Sequence, residues 1–212
     1  MKPKKTYVYI DSFNLYYGIL NNGGKKGKKW LNIESWLVKI FKPNQYDIQK
    51  IKFFTATVSG TKKDPLKPIR QEAYFRALNT LSTLERIMGN FQRKKIKINV
   101  TDDISINARV YEEKGTDVNI ATHIVNDAHN KRYDTAILVS NDSDIADAVR
   151  IVKEELKLEV IIVNPSRNRY PSAVLSRYAS FTKNVREGQI TSSQFPHQLS
   201  DTRGIIDKPT DW

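Results

Sequence analysis

Four aspartates in three separate segments carry the reactive chemistry that this sequence offers. Asp11 closes the β-branched, aromatic run TYVYI (6–10), and Asp142 and Asp144 follow the apolar run TAILVS (135–140) within Asn141-Asp142-Ser143-Asp144. Asp117 stands in KGTDVNIATHIV, where a carboxylate suits the first turn of a helix. Short apolar runs of this kind read as buried strands. In an open parallel sheet the carboxyl ends of the strands face the crevice that takes ligands, so the four acids are expected to meet there. Carboxylates brought together repel one another unless a cation lies between them, and an all-oxygen set suits a hard ion such as Mg²⁺ or Mn²⁺. Such an ion, alone or as a pair about 3.5–4 Å apart, activates water and stabilises in-line displacement at a phosphodiester. Each acid has a plainer use as well. Asp11 and Asp142 suit the caps of following helices, and Asp144 suits a first helical turn.

The elements that must position these acids alternate along the chain. Residues 6–10, Ile51 to Val58, 135–140 and 158–163 read as strands. Asn32 to Phe41 reads as an amphipathic helix stopped by Pro43, and a longer helix is predicted from about Pro68 to Met88. Residues 91–100 read as a third strand or as a hairpin with 106–112. After Gly115 the spacing of Val118, Ala121, Ile124, Val125 and Ala128 predicts a helix, as do Asp144 to Glu155 and a short stretch near 172–177. Alternation of this kind predicts an α/β fold, a three-layer α/β/α sandwich with a mainly parallel, Rossmann-like central sheet. One domain is expected over 1–185. Residues 186–212 lose the periodicity and read as a loosely ordered C-terminal extension.

Charge narrows the class of partner. Among 212 residues, 35 Lys and Arg against 23 Asp and Glu give a net charge of +12, which favours a polyanion such as nucleic acid. There is no cysteine, which removes disulfides, thiolate catalysis and cysteine-ligated zinc. The opening MKPKKTYVYID has no signal-peptide core and no later stretch reaches membrane-spanning length, so a cytoplasmic protein is expected. Candidate groove residues are Lys25, Lys26, Lys28 and Lys29 in a Gly-rich loop, then Lys62, Lys63, Lys67 and Arg70. Arg93, Lys94, Lys95, Lys97 and Lys114 extend the set, although lysine runs are more often simply solvated faces. Tyr16, Tyr17 and Tyr74 are candidates for stacking bases or for filling the core. GGKKGKK has neither the glycine spacing nor the Ser or Thr of a phosphate-binding Walker loop.

The segments YIDSFNLYYG (9–18), EKGTDVNIATH (113–123) and LVSNDSDIADAVRIV (138–152) resemble the three signature regions of the NYN domain. This is the DUF88/LabA-like branch of the PIN-like nucleases. RQEAYFRAL (70–78) and GNF (89–91) resemble its intervening stretch, so the likeness covers about residues 6–181. The resemblance implies a PIN-like α/β/α fold and an enzyme, a metal-dependent ribonuclease using Mg²⁺ or Mn²⁺ held by Asp11, Asp117, Asp142 and Asp144. It implies RNA as substrate and, through attack by activated water, 5′-phosphate products. Asn14, Ser140 and Asn141 take supporting places beside the acids. Many relatives have glycine where Ser12 and Asn141 stand, and many have an acid where this chain has His123. That histidine is open to reading as a ligand, a proton donor or a structural residue. A DNA-directed nuclease and a non-catalytic module binding RNA or protein are the alternatives. The oligomeric state is left open.

Overall fold

The computed structural model describes residues 2–21, 27–99, 105–166, 170–210 and 212, and of the segment 90–114 the backbone alone. The chain opens with β1 (Lys4–Asp11), which runs directly into α1 (Ser12–Leu15) and a wide π turn over Tyr16–Leu20. There follow α2 (Ile33–Ile40), β2 (Tyr46–Thr55), α3 (Lys67–Leu78) and β3 (Leu84–Met88). A hairpin of β4 (Asn90–Asn99) and β5 (Ser105–Lys114) leads to α4 (Thr116–His129) and β6 (Thr135–Val139). Next come α5 (Ala146–Arg150), β7 (Glu159–Asn164), α6 (Ala173–Tyr178) and β8 (Phe181–Asn184). Last are α7 (Glu187–Thr191) and a small hairpin of β9 (Gln198–Asp201) and β10 (Gly204–Asp207).

Six strands form one sheet in the order β3-β2-β1-β6-β7-β8, and every pairing in it is parallel. The chain therefore builds outward from β1 to one edge and then returns to build outward from β6 to the other. The switch of direction between β1 and β6 leaves a crevice beyond their carboxyl ends. Tyr9 pairs with Leu138 and Ile10 with Val139, which sets Asp11 beside Ser140 at the mouth of that crevice.

Alternation along the central strands separates two cores. Val8, Ile10, Ile137, Val139, Ile161 and Val163 face α1, α2 and α3, whose Leu15, Trp36, Leu37 and Phe75 complete that layer. Tyr9, Ala136, Leu138, Val160 and Ile162 face the other way, onto Ile120, Ile124, Val149 and Leu175 of α4, α5 and α6. Strands covered on both sides must be apolar at every position, which is why TAILV shows no alternation. Full burial of each large aliphatic side chain contributes about 1.5–3 kcal/mol, enough to hold the strand ends rigid.

Two expectations are corrected. The helix foreseen from Pro68 to Met88 ends at Leu78, and Leu84–Met88 instead pairs in parallel with Ile51–Thr55 as an edge strand. Leu81, Leu84 and Ile87 suit a helical period, but main-chain bonding to the open edge of β2 decides such an ambiguous run. Residues 186–212 are not a loose extension. Ile190, Phe195 and Ile206 are buried, Trp212 meets Trp30 at 6.3 Å and Tyr74 at 5.7 Å, and Arg76 holds Asp201 by two hydrogen bonds of 2.9 and 2.6 Å. Its apolar residues lie too far apart to show a period because each fills a separate gap against the α2–α3 layer.

Candidate functional site

Asp11 is almost fully buried at the end of β1 and caps the helix that follows. Its Oδ1 accepts the backbone N–H groups of Phe13 at 3.1 Å and Asn14 at 2.9 Å. Its Oδ2 accepts the Asn14 amide at 2.9 Å and the Ser140 hydroxyl at 3.2 Å. Burial raises its pKa despite these four donors, and the Asp142 charge adds to the rise. Asn14 also accepts the Asn141 backbone N–H at 3.2 Å, so one side chain bridges the ends of β1 and β6. The Ser140 hydroxyl accepts the Asp142 N–H at 3.1 Å. Asn141 accepts the Ser172 N–H at 2.6 Å and donates to the Tyr170 carbonyl at 3.1 Å, fastening the segment after β7 to the same corner. Asn14, Ser140 and Asn141 thus all bear on the acids or on the turn that carries them.

Asp142 accepts the Asp144 N–H at 3.0 Å and opens a 3₁₀ turn over Ser143–Ile145, with Asp144 exposed beyond it. Asp117 enters from a different element, in the first turn of α4. Gly115 precedes that helix with φ of 91°, a left-handed conformation in which a side chain is strained. Burial and then the charges of Asp142, Asp11 and Asp144 push the Asp117 carboxyl up to about 6. The four acids therefore lie within electrostatic reach of one another at the crevice.

The chemistry of this set fits a hard dication, since its donors are carboxylates whose like charges repel one another. The rotamers do not close on one. Among the described residues no three Asp, Glu or His side chains converge tightly enough to form a metal-binding group. All four lone-pair positions of Asp11 are occupied by donors, which leaves Asp117 and Asp142 the more available oxygens.

His123 faces elsewhere. Its Nδ1 lies 3.0 Å from the Lys52 ammonium, its ring stands edge-on to Phe54, and burial together with Lys52 lowers its pKa. It belongs to a buried ionic group that sequence reasoning missed. Lys52 pairs with the fully buried Asp127, which also accepts the Tyr9 hydroxyl at 2.8 Å and the Arg132 guanidinium at 3.0 Å. The signal was present as a lysine inside the apolar strand IKFFT and an aspartate on the apolar face of α4, three residues after Ile124.

The basic candidates scatter. Lys62 and Lys63 are exposed in the loop after β2, while Arg70 is paired with Asp64. Lys28 is buried against Glu187 and ties down the C-terminal segment, so it does not belong to a groove. Lys25 and Lys26 lie outside the described residues, as do the side chains of Arg93, Lys94, Lys95, Lys97 and Lys114.

Two depressions open beside α1, and Asp142 lines the first of them. A polar cleft of about 900 Å³, open mouth included, is lined by Asn14, Asn141, Asp142, Ser143 and Ser166. Gly18 lets the chain after β7 close one side of it, because a Cβ there would meet the Pro165 carbonyl oxygen at 2.9 Å. Beside it lies an aromatic recess of about 670 Å³, open mouth included, walled by Phe13, Tyr16, Tyr17, Phe53, Tyr74 and Trp212. No described helix is long and apolar enough to cross a membrane.

Comparison with known proteins agrees with this architecture. A crystal structure of a protein of unknown function from Vibrio parahaemolyticus superposes with a TM-score of 0.57, covering 87% of this chain and 94% of that one at 15% identity, a likeness of fold. The chain is 27% identical over 241 residues to 6-hydroxy-3-succinoylpyridine 3-monooxygenase HspA of Pseudomonas putida (strain DSM 28022 / S16), spanning 100% of this chain and 76% of the relative. The NYN domain matches residues 5–184, nearly the whole sheet and all four acids. The chain belongs to the NYN domain family, within the PIN-like nuclease superfamily.

Proposed function

We propose that this chain is a metal-dependent nuclease acting on RNA, with Asp11, Asp117, Asp142 and Asp144 as its reactive acids. One observation carries the reading: burial and three like charges push Asp117 up to about 6 at the switch-point crevice. Such repulsion costs stability, and a cationic ligand offsets it. Mg²⁺ or Mn²⁺ would be held by Asp117, Asp142 and Asp144, with Asp11 behind them. When bound there, the ion supplies charge neutralisation at the phosphoryl group and a water acidic enough to attack it.

The chain's own groups do the rest. Asn14 and Ser140 hold Asp11 and the Asp142 turn in place, and Asn141 anchors the wall of the cleft. The polar cleft of Asn14, Asn141, Ser143 and Ser166 receives the phosphodiester. Lys62 and Lys63 add long-range attraction for the strand. A water oxygen bonds to phosphorus as the bond to the 3′ oxygen breaks, and the proton that the water gives up to solvent is matched by the one that the departing 3′ oxygen takes from it. The products are a 5′-phosphate and a 3′-hydroxyl. RNA is preferred over DNA as the substrate on the strength of the family and the charge.

The test is incubation of labelled single-stranded RNA and DNA with Mg²⁺ or Mn²⁺, beside Asp142→Asn. RNA should be cleaved to 5′-phosphate ends, and the variant should be slower by more than about 100-fold. Cleavage of neither strand, or equal cleavage by the variant, refutes the assignment. A second reading, chemistry on a small aromatic molecule as in the name of the Pseudomonas relative, draws on the aromatic recess beside Asp11. Turnover of hydroxylated pyridines without nucleic-acid cleavage would favour it.

A further inference from the structure

The polar cleft and the aromatic recess share a wall. Phe13 and Tyr17 line both, and their rings stack at 6.5 Å with an interplanar angle of 23°. Asp142 and Asn14 lie on one side of this ridge, and Tyr16, Phe53, Tyr74 and Trp212 lie on the other. Tyr17 is 62% exposed, so the face of its ring is open to a ligand from solvent. The ridge exists because Phe13 and Tyr17 fall four residues apart on the same face of one short helical segment.

Two polar side chains on the wall of the recess are already engaged. Gln71 accepts the Val58 N–H at 2.8 Å and donates to the Ala56 carbonyl at 3.0 Å, and the Tyr74 hydroxyl donates to the Leu31 carbonyl at 2.8 Å. What these groups leave to an occupant is the faces of rings. The charged side chains lining the recess are Lys29, whose ammonium sits 5.5 Å from the Tyr16 ring centre, and Lys67. A flat ring attached to an anion matches this surface, and a nucleotide whose phosphate lies in the adjoining cleft is such a group.

We infer that the recess takes one unpaired base of the strand whose phosphate enters the acid-lined cleft, by stacking and without reading the base's edge. This rests on the nuclease reading. It makes the protein selective for single strands and tolerant of sequence, because every base has a face to stack but a base inside a duplex cannot leave its partner to cross the ridge. Phe13 and Tyr17 then set the step between the bound phosphate and the captured base.

Binding tests this without turnover. Wild-type protein in EDTA is titrated with a fluorescent nine-residue oligouridylate, with the same strand made wholly abasic, and with the oligouridylate paired to its complement. Stacking of one base is worth about tenfold in affinity, so the oligouridylate should bind about tenfold more tightly than the abasic strand. Tyr17→Ala, at an exposed position, and Val58→Trp, which fills the recess, should each bring that ratio close to one, and Val58→Trp, which lies outside the polar cleft, should leave abasic binding unchanged. Binding of the duplex should be the same for wild type and both variants. Equal binding of uridylate and abasic strands to the wild type overturns the inference while leaving a nucleic-acid groove intact. Failure to bind any strand at low salt, both in EDTA and with millimolar Ca²⁺ in its place, removes the nuclease reading itself. Binding of benzoate that survives saturation with RNA gives the recess to a free small molecule and overturns the inference too.

Discussion

Replacing Asp117 by Asn should make the metal-free protein more stable, by a margin that grows as pH rises from about 4 and is complete above about 6. Burial and the charges of Asp142, Asp11 and Asp144 raise this carboxyl from 3.8 to about 6. Below pH 3.8 the group is protonated whether the chain is folded or not, and it contributes no pH dependence. Between 3.8 and 6 the folded chain holds a proton that the unfolded chain has released, so stability falls as pH rises through that window. Above 6 the full penalty applies. A shift of about two pH units corresponds to at most about 3 kcal/mol. Because Asp117 is only half-buried and solvent screens it, about half of that, ~1.5 kcal/mol, is the expected effect. For a chain of this length that is a rise in Tm of roughly 3–6 °C at pH 8 in EDTA, shrinking to nothing at pH 4. Reading the difference between wild type and Asp117→Asn at each pH cancels the titration of the other acids. Millimolar Mg²⁺ should then reverse the order, since binding stabilises the wild type in proportion to its affinity and the variant has lost a ligand. A variant that melts at or below the wild type at pH 8 in EDTA would refute the claim that these acids repel one another, and with it the main support for the metal site.

Asp127→Ala leaves the buried Lys52 ammonium without its countercharge and should cost about 3–5 kcal/mol, measured by urea denaturation. Adding Lys52→Met should recover part of that loss. Gly18→Ala drives a methyl group to 2.9 Å from the Pro165 carbonyl oxygen, with a cost of about 1–3 kcal/mol in the same assay. Cleavage should fall with it, because Ser166 in the displaced segment lines the cleft. Trp212→Ala removes ring contacts with Trp30 and Tyr74, each worth about 0.5–1.5 kcal/mol, and should lower Tm along with the near-ultraviolet circular dichroism of the tryptophan cluster.

The acids were legible in the sequence because their positions follow from a local rule. A strand buried on both faces is a continuous apolar run, so the first charged residue after it marks its end, and Asp11 and Asp142 are those residues. Asp117 was legible through the glycine before it, which allows the left-handed turn into α4. What escaped depends on residues distant in sequence and near in space. The α3 region gave no boundary at Leu78 because Leu81, Leu84 and Ile87 fit two periods, and only the vacant edge of β2 chooses between them. Residues 186–212 looked unstructured because their anchors, Ile190, Phe195, Ile206 and Trp212, join a core built largely from the first 80 residues, among them Trp30, which meets both Phe195 and Trp212.

The buried ionic group shows how the two kinds of information meet. Lys52 and Asp127 were each visible as a charge out of place, one in a strand and one on the inner face of a helix, but neither named the other. Their pairing fixes where α4 lies across β1 and β2, with Tyr9 and Arg132 closing the remaining acceptor positions on Asp127. Asp117 sits ten residues earlier on the same helix, so the pairing of Lys52 with Asp127 helps to anchor the helix that carries it. His123, between them, accepts from Lys52 on the same face. His123 thereby ties α4 to β2, and His123→Gln, which keeps an acceptor for Lys52, should preserve the fold where His123→Leu weakens it.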